Sequence, residues 1–224
     1  MALDLTARGP IVQVSIDVAT IGDAMTVAAM AVRAGVDWLE VGTPLVLAEG
    51  MGVLRELVPA FPDRPFFVDA KIVDSARASV ASAAALGAGL ISVCGIATNA
   101  TIREAIAGGR EAGIGIVVDL LGTIDPIGRA REVVALGADL VYLHYGADEM
   151  VETPTGDPTL SRISALRAAV GVPIGAVTFR TADALAAVAA GADVVLVGHP
   201  YLVGPDAEAM LTDFVRQVRG ARPA

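Results

Sequence analysis

The sequence predicts a single (β/α)8 TIM barrel spanning residues 1–224, and two observations lead to this fold class. A glycine-containing phrase of small and apolar residues recurs four times at intervals of about 50 residues, the length of two βα units. Four further apolar, β-rich runs lie between these phrases, so eight strands alternate with eight helical segments. An open doubly wound sheet is the alternative, but no G-x-G-x-x-G motif follows the first strand.

Each predicted strand is a short apolar run bounded by glycine, proline or a charged residue. The four recurring phrases are typical of a helix end, a glycine C-cap and a buried strand, with Gly35, Gly87, Gly137 and Gly191 at the caps. The eight runs that contain strands are residues 11–17, 34–42, 65–69, 86–93, 114–119, 136–143, 173–177 and 190–198.

The segments between these runs carry Ala, Leu, Val, Arg and Glu at helical spacing, which predicts one helix after each strand. The eight predicted helices are residues 21–34, 46–60, 75–86, 101–112, 126–136, 160–169, 182–189 and 206–218.

Composition excludes several classes of protein. Hydrophobic residues make up 54% of the chain, but no apolar run reaches the roughly 18 residues of a membrane span, so we expect no membrane partner. The net charge is −9 without a basic cluster, which argues against nucleic acid. A single cysteine, Cys94, and the lack of a signal-type N-terminus favour a cytoplasmic protein.

The predicted strands end in polar residues, and in a TIM barrel the active site lies at the carboxyl ends of the strands. A single aspartate at such a position is often only a helix cap, but six or seven polar endings together indicate a site. These strand-ending residues are Asp17, Glu40, Asp69, Lys71, Asp119, His144, Thr178 with Arg180, and Gly198 with His199.

Residues 69–74, with the sequence D-A-K-I-V-D, are the most informative stretch. Asp69 and Lys71 lie two apart on a strand and therefore share a face, while Asp74 follows at the start of the next helix. We expect these three charges to converge within a few ångströms. The alternative is a buried ion pair that only joins two strands.

The residue types at this mouth suit chemistry on a carbonyl compound. Two or three carboxylates with water are ligands that Mg²⁺ prefers. Lys71 among anions should have a raised pKa and stay cationic, so that it stabilises an enediolate rather than forming a Schiff base. His144 is the candidate proton carrier, which makes Lys71, Asp69, Asp74 and His144 the predicted catalytic residues.

These motifs resemble the orotidine monophosphate decarboxylase suprafamily, in its branch of 3-hexulose-6-phosphate synthase and 3-keto-L-gulonate-6-phosphate decarboxylase. The resemblance rests on E-V-G-T-P at 40–44, D-x-K-x-x-D at 69–74, Asp17, Asp119 and His144. It implies a lyase of carbohydrate metabolism in which Glu40 and Asp69 hold Mg²⁺, Lys71 stabilises the enediolate and Asp17 contacts substrate. It also implies a homodimer with shared active sites, because Asp74 would reach into the partner subunit's site.

The two activities of this branch differ in the bond that they make or break. The synthase adds formaldehyde to D-ribulose 5-phosphate, and the decarboxylase removes CO₂ from a 3-keto sugar acid phosphate. Asp119 matches the residue type of the synthase, since the decarboxylase usually has Glu at this position. The arginine that typically follows the histidine in the decarboxylase is also missing after His144, so the sequence favours the aldol reaction.

The chain departs from the family's phosphate-binding turns after strands seven and eight. Phe179 carries a side chain where the family has glycine, and Pro200 has no N–H to donate. Either Arg180 and His199, with Thr178 and Gly198, bind a phosphorylated sugar in another way, or the substrate is an unphosphorylated hydroxyketone or keto acid. A catalytically silent barrel that serves as a binding partner is the alternative of another class. Residues 149–158 should form a loop over the mouth.

Overall fold

The eight strands of the barrel lie side by side in chain order. The computed structural model describes residues 9–152 and 160–221, and within them each strand pairs in parallel with the next while β8 pairs with β1. The predicted (β/α)8 TIM barrel is therefore confirmed; that residues 1–224 form one domain stays a prediction. The strands are β1 Ile11–Ile16, β2 Trp38–Val41, β3 Phe66–Ile72, β4 Leu90–Cys94, β5 Gly115–Asp119, β6 Leu140–Leu143, β7 Ile174–Thr178 and β8 Val194–Val197.

Helices follow the strands and surround the barrel. Gly35 and Gly137 cap two of them in the left-handed conformation, with φ of 91° and 109°, as the recurring phrase predicts. The helices are α1 Ile21–Ala34, α2 Thr43–Glu49, α3 Leu54–Ala60, α4 Ala76–Ala85, α5 Asn99–Ala112, α6 Pro126–Leu136, α7 Ala147–Glu152, α8 Ile163–Ala169, α9 Thr181–Ala189 and α10 Ala207–Gly220, with short 3-10 turns at Met51–Val53 and Leu160–Arg162.

Two local predictions are corrected by the structure. The helix predicted at 46–60 divides into α2, a 3-10 turn and α3, because Gly50 has φ 67° and ψ 174°, which no helix can continue through. The loop predicted at 149–158 begins as helix α7 instead, in which Asp148 and Glu149 occupy the first turn. The rest of that loop, residues 153–158, lies outside the described residues.

Side chains alternate across each strand, and this alternation creates two separate layers of buried residues. On β1, Val12, Val14 and Ile16 pack outward in the layer beneath the helices. The inward positions are different, since Gln13 and Ser15 are both buried and polar. The barrel interior is apolar towards the amino ends of the strands and becomes polar towards their carboxyl ends, which positions the site.

None of the helices in the described part of the chain is long and apolar enough to cross a bilayer.

Candidate active site

A pocket of about 630 Å³ opens at the carboxyl ends of the strands. It lies where the sequence places the active site, and most of the predicted site residues meet there. The predicted residues that line it are Asp17, Glu40, Asp69, Lys71, Asp119, His144, Thr178, Gly198 and His199.

Lys71 lies between two carboxylates at the bottom of this pocket. Its Nζ is 2.7 Å from Oδ2 of Asp69 and 3.0 Å from Oδ2 of Asp119. Burial alone would lower the pKa of Lys71, but the negative charges of Asp119 and Asp69 outweigh it and raise the pKa above its ordinary value. The ammonium therefore remains cationic at neutral pH, as the sequence predicts.

An irregular stretch of backbone aims the Lys71 side chain. The pairing of β3 with β4 shifts register between Val68 and Ile72, and Lys71 itself has φ 46° in the left-handed region. The backbone N–H of Lys71 donates to Oγ of Ser92 at 3.1 Å. A left-handed lysine costs on the order of 1 kcal/mol, so the surrounding contacts must hold it there. Such strain is typical of functional positions.

Asp119 joins Lys71 to His144. The Oδ2 atom of Asp119 is 2.8 Å from Nδ1 of His144, and its Oδ1 atom accepts the backbone N–H of Leu121 at 2.9 Å. Burial would raise the pKa of Asp119, yet the charges and hydrogen bonds of His144 and Lys71 lower it far below its usual range. The carboxylate stays ionised and orients both Lys71 and His144.

Glu40 is fully enclosed by polar neighbours from β1. Its Oε1 atom accepts a hydrogen bond from Oγ of Ser15 at 2.9 Å, and its Oε2 atom accepts one from the amide of Gln13. The hydroxyl of Tyr142 donates to the same amide from across the barrel. Burial raises the pKa of Glu40 well above its ordinary value, and the nearby charges of Asp69 and Asp17 raise it further.

Asp17 packs against two glycines at the rim. A Cβ on Gly42 would lie 2.0 Å from Oδ1 of Asp17, and a Cβ on Gly198 would lie 3.1 Å from Oδ2. Ser15 Oγ also lies 2.9 Å from Oδ1 of Asp17, so one hydroxyl contacts both Asp17 and Glu40. The surrounding protein raises the pKa of Asp17, and the charge of Asp69 adds to this effect.

The donor set of the pocket suits a hard cation. In the described part of the chain, no three His, Cys, Asp or Glu side chains are grouped as a complete metal site. Glu40 and Asp69 nevertheless present carboxylate oxygens beside Asp17, and the charges of Asp69 and Asp17 add to the effect of burial in raising the pKa of Glu40. Mg²⁺ binds through one or two carboxylates and keeps several waters, so these residues fit it.

Two predicted site residues lie outside the pocket. Asp74 does not converge with Asp69 and Lys71; it is exposed and lines a separate depression with residues of α4 and α5, because the irregular end of β3 turns the chain away. Arg180 is half-exposed and pairs with Asp183 at 2.7 Å, in the first turn of α9. It is not among the residues that line the pocket.

The sequence analysis missed several polar residues that support the site. Ser92 Oγ donates to Oδ1 of Asp69 at 2.8 Å, and Thr43 Oγ1 donates to Oδ2 of Asp69 at 2.7 Å. With Gln13, Ser15 and Tyr142 these residues form the walls and base of the acidic cluster. A signal was available for two of them, because Gln13 and Ser15 precede Asp17 at spacings of two in the chain.

Comparison with known proteins finds one matching family. The sequence profile described as the "Orotidine 5'-phosphate decarboxylase / HUMPS family" matches residues 10–200. The 3-hexulose-6-phosphate synthase of Mycobacterium gastri is 39% identical over 140 residues, which are 62% of this chain and 67% of that relative. The synthase of Bacillus subtilis (strain 168) is 33% identical over 140 residues, 62% of this chain and 66% of that relative. The matches thus span about two thirds of these curated relatives.

Solved structures agree with this family. A crystal structure of 3-hexulose-6-phosphate synthase superposes with a TM-score of 0.85 at 33% identity, covering 95% of this chain and 99% of that chain. The 3-keto-L-gulonate-6-phosphate decarboxylase of Vibrio cholerae O1 biovar El Tor str. N16961 gives a TM-score of 0.83 at 23% identity, covering 96% and 100%. At that identity the second likeness shows the fold alone. The resemblance drawn from the sequence is confirmed.

Proposed function

Because the chain belongs to the orotidine 5'-phosphate decarboxylase / HUMPS family, we propose that it is a carbon–carbon lyase that works through an enediolate. The reaction is of the aldol type implied by the resemblance to 3-hexulose-6-phosphate synthase, with formaldehyde added to a small ketose, D-ribulose 5-phosphate or its unphosphorylated form. The observation that carries this proposal is the ammonium of Lys71 held between Asp69 and Asp119, with His144 on the same Asp119 oxygen.

Lys71 supplies positive charge where the enediolate forms. An ammonium has three N–H donors, and two of them are directed at Asp69 and Asp119, which leaves the third for a substrate oxygen. Negative charge that develops on that oxygen is stabilised without movement of the lysine. A permanently cationic lysine cannot act as an amine nucleophile at neutral pH, which argues against Schiff-base chemistry.

His144 moves the proton. Its Nδ1 atom is hydrogen-bonded to Asp119, so the Nε2 atom is the ring nitrogen left for substrate. A base at this place removes a proton from the carbon next to the carbonyl, which gives the enediolate. The enediolate carbon then forms a bond to the formaldehyde carbon, and the resulting alkoxide takes up a proton. The ionised Asp119 stabilises the protonated ring during these steps.

Glu40 and Asp69 would hold Mg²⁺, which would supply positive charge that polarises the reacting end of the substrate. Asp17, Thr178, Gly198 and His199 contact substrate in this proposal.

The protein also works as a homodimer in this proposal, with the partner's Asp74 completing each site. Asp74 is exposed beside Val73, which is 55% exposed, and a charged residue next to an uncovered apolar one suits a subunit contact. Size-exclusion chromatography with light scattering checks the dimer. We place it in the cytoplasm, because its single cysteine fits a reducing compartment.

The proposal is tested by proton exchange, which requires the enediolate but not the second substrate. We expect D-ribulose 5-phosphate or D-ribulose to exchange hydrogen at the carbon next to the carbonyl in D₂O with Mg²⁺, measured by ¹H NMR. The variant Lys71→Ala should lose at least a hundredfold of this rate, whereas Lys71→Arg should keep more of it. EDTA should abolish exchange and added Mg²⁺ should restore it.

Formaldehyde then distinguishes the reaction types. Consumption of formaldehyde with the ketose supports the aldol reaction, and release of CO₂ from 3-keto-L-gulonate 6-phosphate instead identifies a decarboxylase. Ligand binding with no exchange in the wild type contradicts the proposal and indicates a barrel that binds without turnover.

A further inference from the structure

The charges that line the pocket are unfavourable for a phosphate group. Six carboxylic acids line it, and one lysine is the only Lys or Arg among its described lining residues. The acids are Asp17, Glu40, Asp69, Asp119, Asp148 and Glu149. Two unit charges about 6 Å apart repel by about 3 kcal/mol at an effective dielectric constant of 20. A phosphate dianion in this pocket would therefore need cationic partners.

The Lys and Arg side chains nearest the pocket are either paired with acids or lie beside the pocket. Lys71 is the only lysine in the sequence and is held by Asp69 and Asp119. Arg180, at the start of α9, forms two hydrogen bonds to Asp183, at 2.7 and 3.0 Å. Arg162 lines a smaller depression beside the pocket rather than the pocket itself. Residues 153–159, outside the described part of the chain, have the sequence T-P-T-G-D-P-T and contain no Lys or Arg.

Two backbone positions near the last two strands offer no donor to a ligand. The N–H of Thr181, at the start of α9, donates to the hydroxyl of Tyr201 at 2.7 Å, so a protein side chain already occupies that donor. Pro200 has no N–H. Phe179, in the first of these two turns, lines the pocket.

The wall on this side of the pocket is apolar instead. Val177, Leu196 and Phe67 belong to the inner core cluster, and Phe179 packs against that cluster while lining the pocket. The ring of Phe67 is stacked on Tyr142 with centroids 5.7 Å apart. Such a surface favours the CH groups of a ligand and gives no compensation for a buried charge.

We propose that the substrate of this site carries no phosphate, and that the pocket selects an uncharged hydroxycarbonyl compound whose distal end packs against the wall formed by Phe67, Val177, Phe179 and Leu196. This inference rests on the proposed function for the reacting end of the substrate and adds the chemical class of the other end. It explains why a phenylalanine and a proline stand at the two turns nearest to that wall.

Paired sugars test the inference. Binding of D-ribulose and of D-ribulose 5-phosphate to the Mg²⁺-loaded protein is measured by titration calorimetry, and kcat/KM with formaldehyde is measured for both. We expect at least tenfold tighter binding and tenfold higher kcat/KM for D-ribulose, with no inhibition by 10 mM inorganic phosphate. Equal or tighter binding of the phosphate ester overturns the inference, and so does binding of neither sugar.

Calorimetry separates this inference from the proposed function, because it does not require turnover. A preference for D-ribulose in binding without any proton exchange keeps the inference and refutes the proposed reaction. Proton exchange with tighter binding of the phosphate ester supports the proposed reaction and refutes the inference. The variants Arg180→Ala, His199→Ala and Arg162→Ala then show which side chain binds the phosphate.

Removing negative charges at the mouth of the pocket tests the argument from charge, with a distant charge removal as the control. The double variant Asp148→Asn with Glu149→Gln removes two negative charges from the mouth, and we expect it to raise kcat/KM for the phosphate ester at least threefold relative to D-ribulose. Asp63→Asn removes an exposed charge just before β3, at the opposite end of the barrel, and should leave the ratio unchanged. An unchanged ratio in the double variant overturns the argument from charge.

Discussion

Replacing Glu40 by glutamine should stabilise the fold at pH 7 while removing activity, because the carboxylate is buried among other acids. Ser15 Oγ lies 2.9 Å from both Glu40 Oε1 and Asp17 Oδ1, so these two oxygens are at most about 6 Å apart. At that separation two ionised carboxylates repel by about 3 kcal/mol with an effective dielectric constant of 20. Glutamine keeps the amide contacts but loses about 1 kcal/mol of charge-assisted hydrogen bonding. A net gain of about 1–2 kcal/mol follows.

The gain in unfolding free energy of Glu40→Gln over the wild type should increase as pH rises from 4 to 7. The pKa of Glu40 is higher in the folded than in the unfolded chain, so the folded protein binds more protons above the unfolded pKa of about 4.3. The stability of the wild type therefore falls as pH rises through this range, whereas Glu40→Gln does not titrate there. The difference in unfolding free energy should be small at pH 4 and largest near neutrality.

Thermal unfolding in EDTA measures the effect. A gain of about 1–2 kcal/mol corresponds to a rise in Tm of about 2–8 °C for a chain of this length. Glu56→Gln, at an exposed position of α3, is the control and should leave Tm unchanged. Added Mg²⁺ should raise Tm of the wild type but not of Glu40→Gln. A variant that is no more stable at pH 7, or equally shifted at pH 4 and 7, would refute the reasoning.

Two further substitutions follow from the same geometry. Asp119→Asn should destabilise the fold by about 1–3 kcal/mol at pH 7, because Lys71 and His144 lose a charged acceptor. The lowered pKa of Asp119 contributes stability above the ordinary aspartate pKa that is lost as pH falls, so urea unfolding of the variant should depend less on pH between 5 and 2; an unchanged pH dependence contradicts this. Gly42→Ala should displace Asp17, since the added Cβ would lie 2.0 Å from its Oδ1, and kcat/KM should fall at least tenfold. Steady-state kinetics check the fall, and wild-type kinetics would show that Asp17 needs no fixed position.

Patterns along the chain were sufficient for the architecture. Alternation of apolar runs and helical spacing predicts the eight strands, and glycines such as Gly35 and Gly137 mark helix ends because a left-handed cap favours a residue without Cβ. The same reasoning failed at Gly50, where one glycine divides a predicted helix. Local spacing cannot tell whether a glycine in a helical pattern is tolerated or is the place where the backbone turns.

Some positions of the site residues were also predictable from the sequence, and others were not. Asp69 and Lys71 are two apart in the chain, so their proximity was predictable from local spacing, although the left-handed backbone at Lys71 was not. Asp119 and His144 come from neighbouring strands at the same end of the barrel, which the fold class implies. Asp74 and Arg180 also follow strands closely, yet both lie outside the pocket, because the direction of a side chain in a turn depends on backbone angles that spacing does not fix.

The sequence by itself determined the barrel, its polar end and the charged residues that gather there, since period-two and helical patterns are written residue by residue. Only the tertiary structure decided which partners those charges have. Lys71 meets Asp119 across 48 positions of chain, and Tyr142 reaches Gln13 across 129. These contacts depend on barrel closure and on the left-handed turn at Lys71, and contacts between distant strands leave no periodic signal in the sequence.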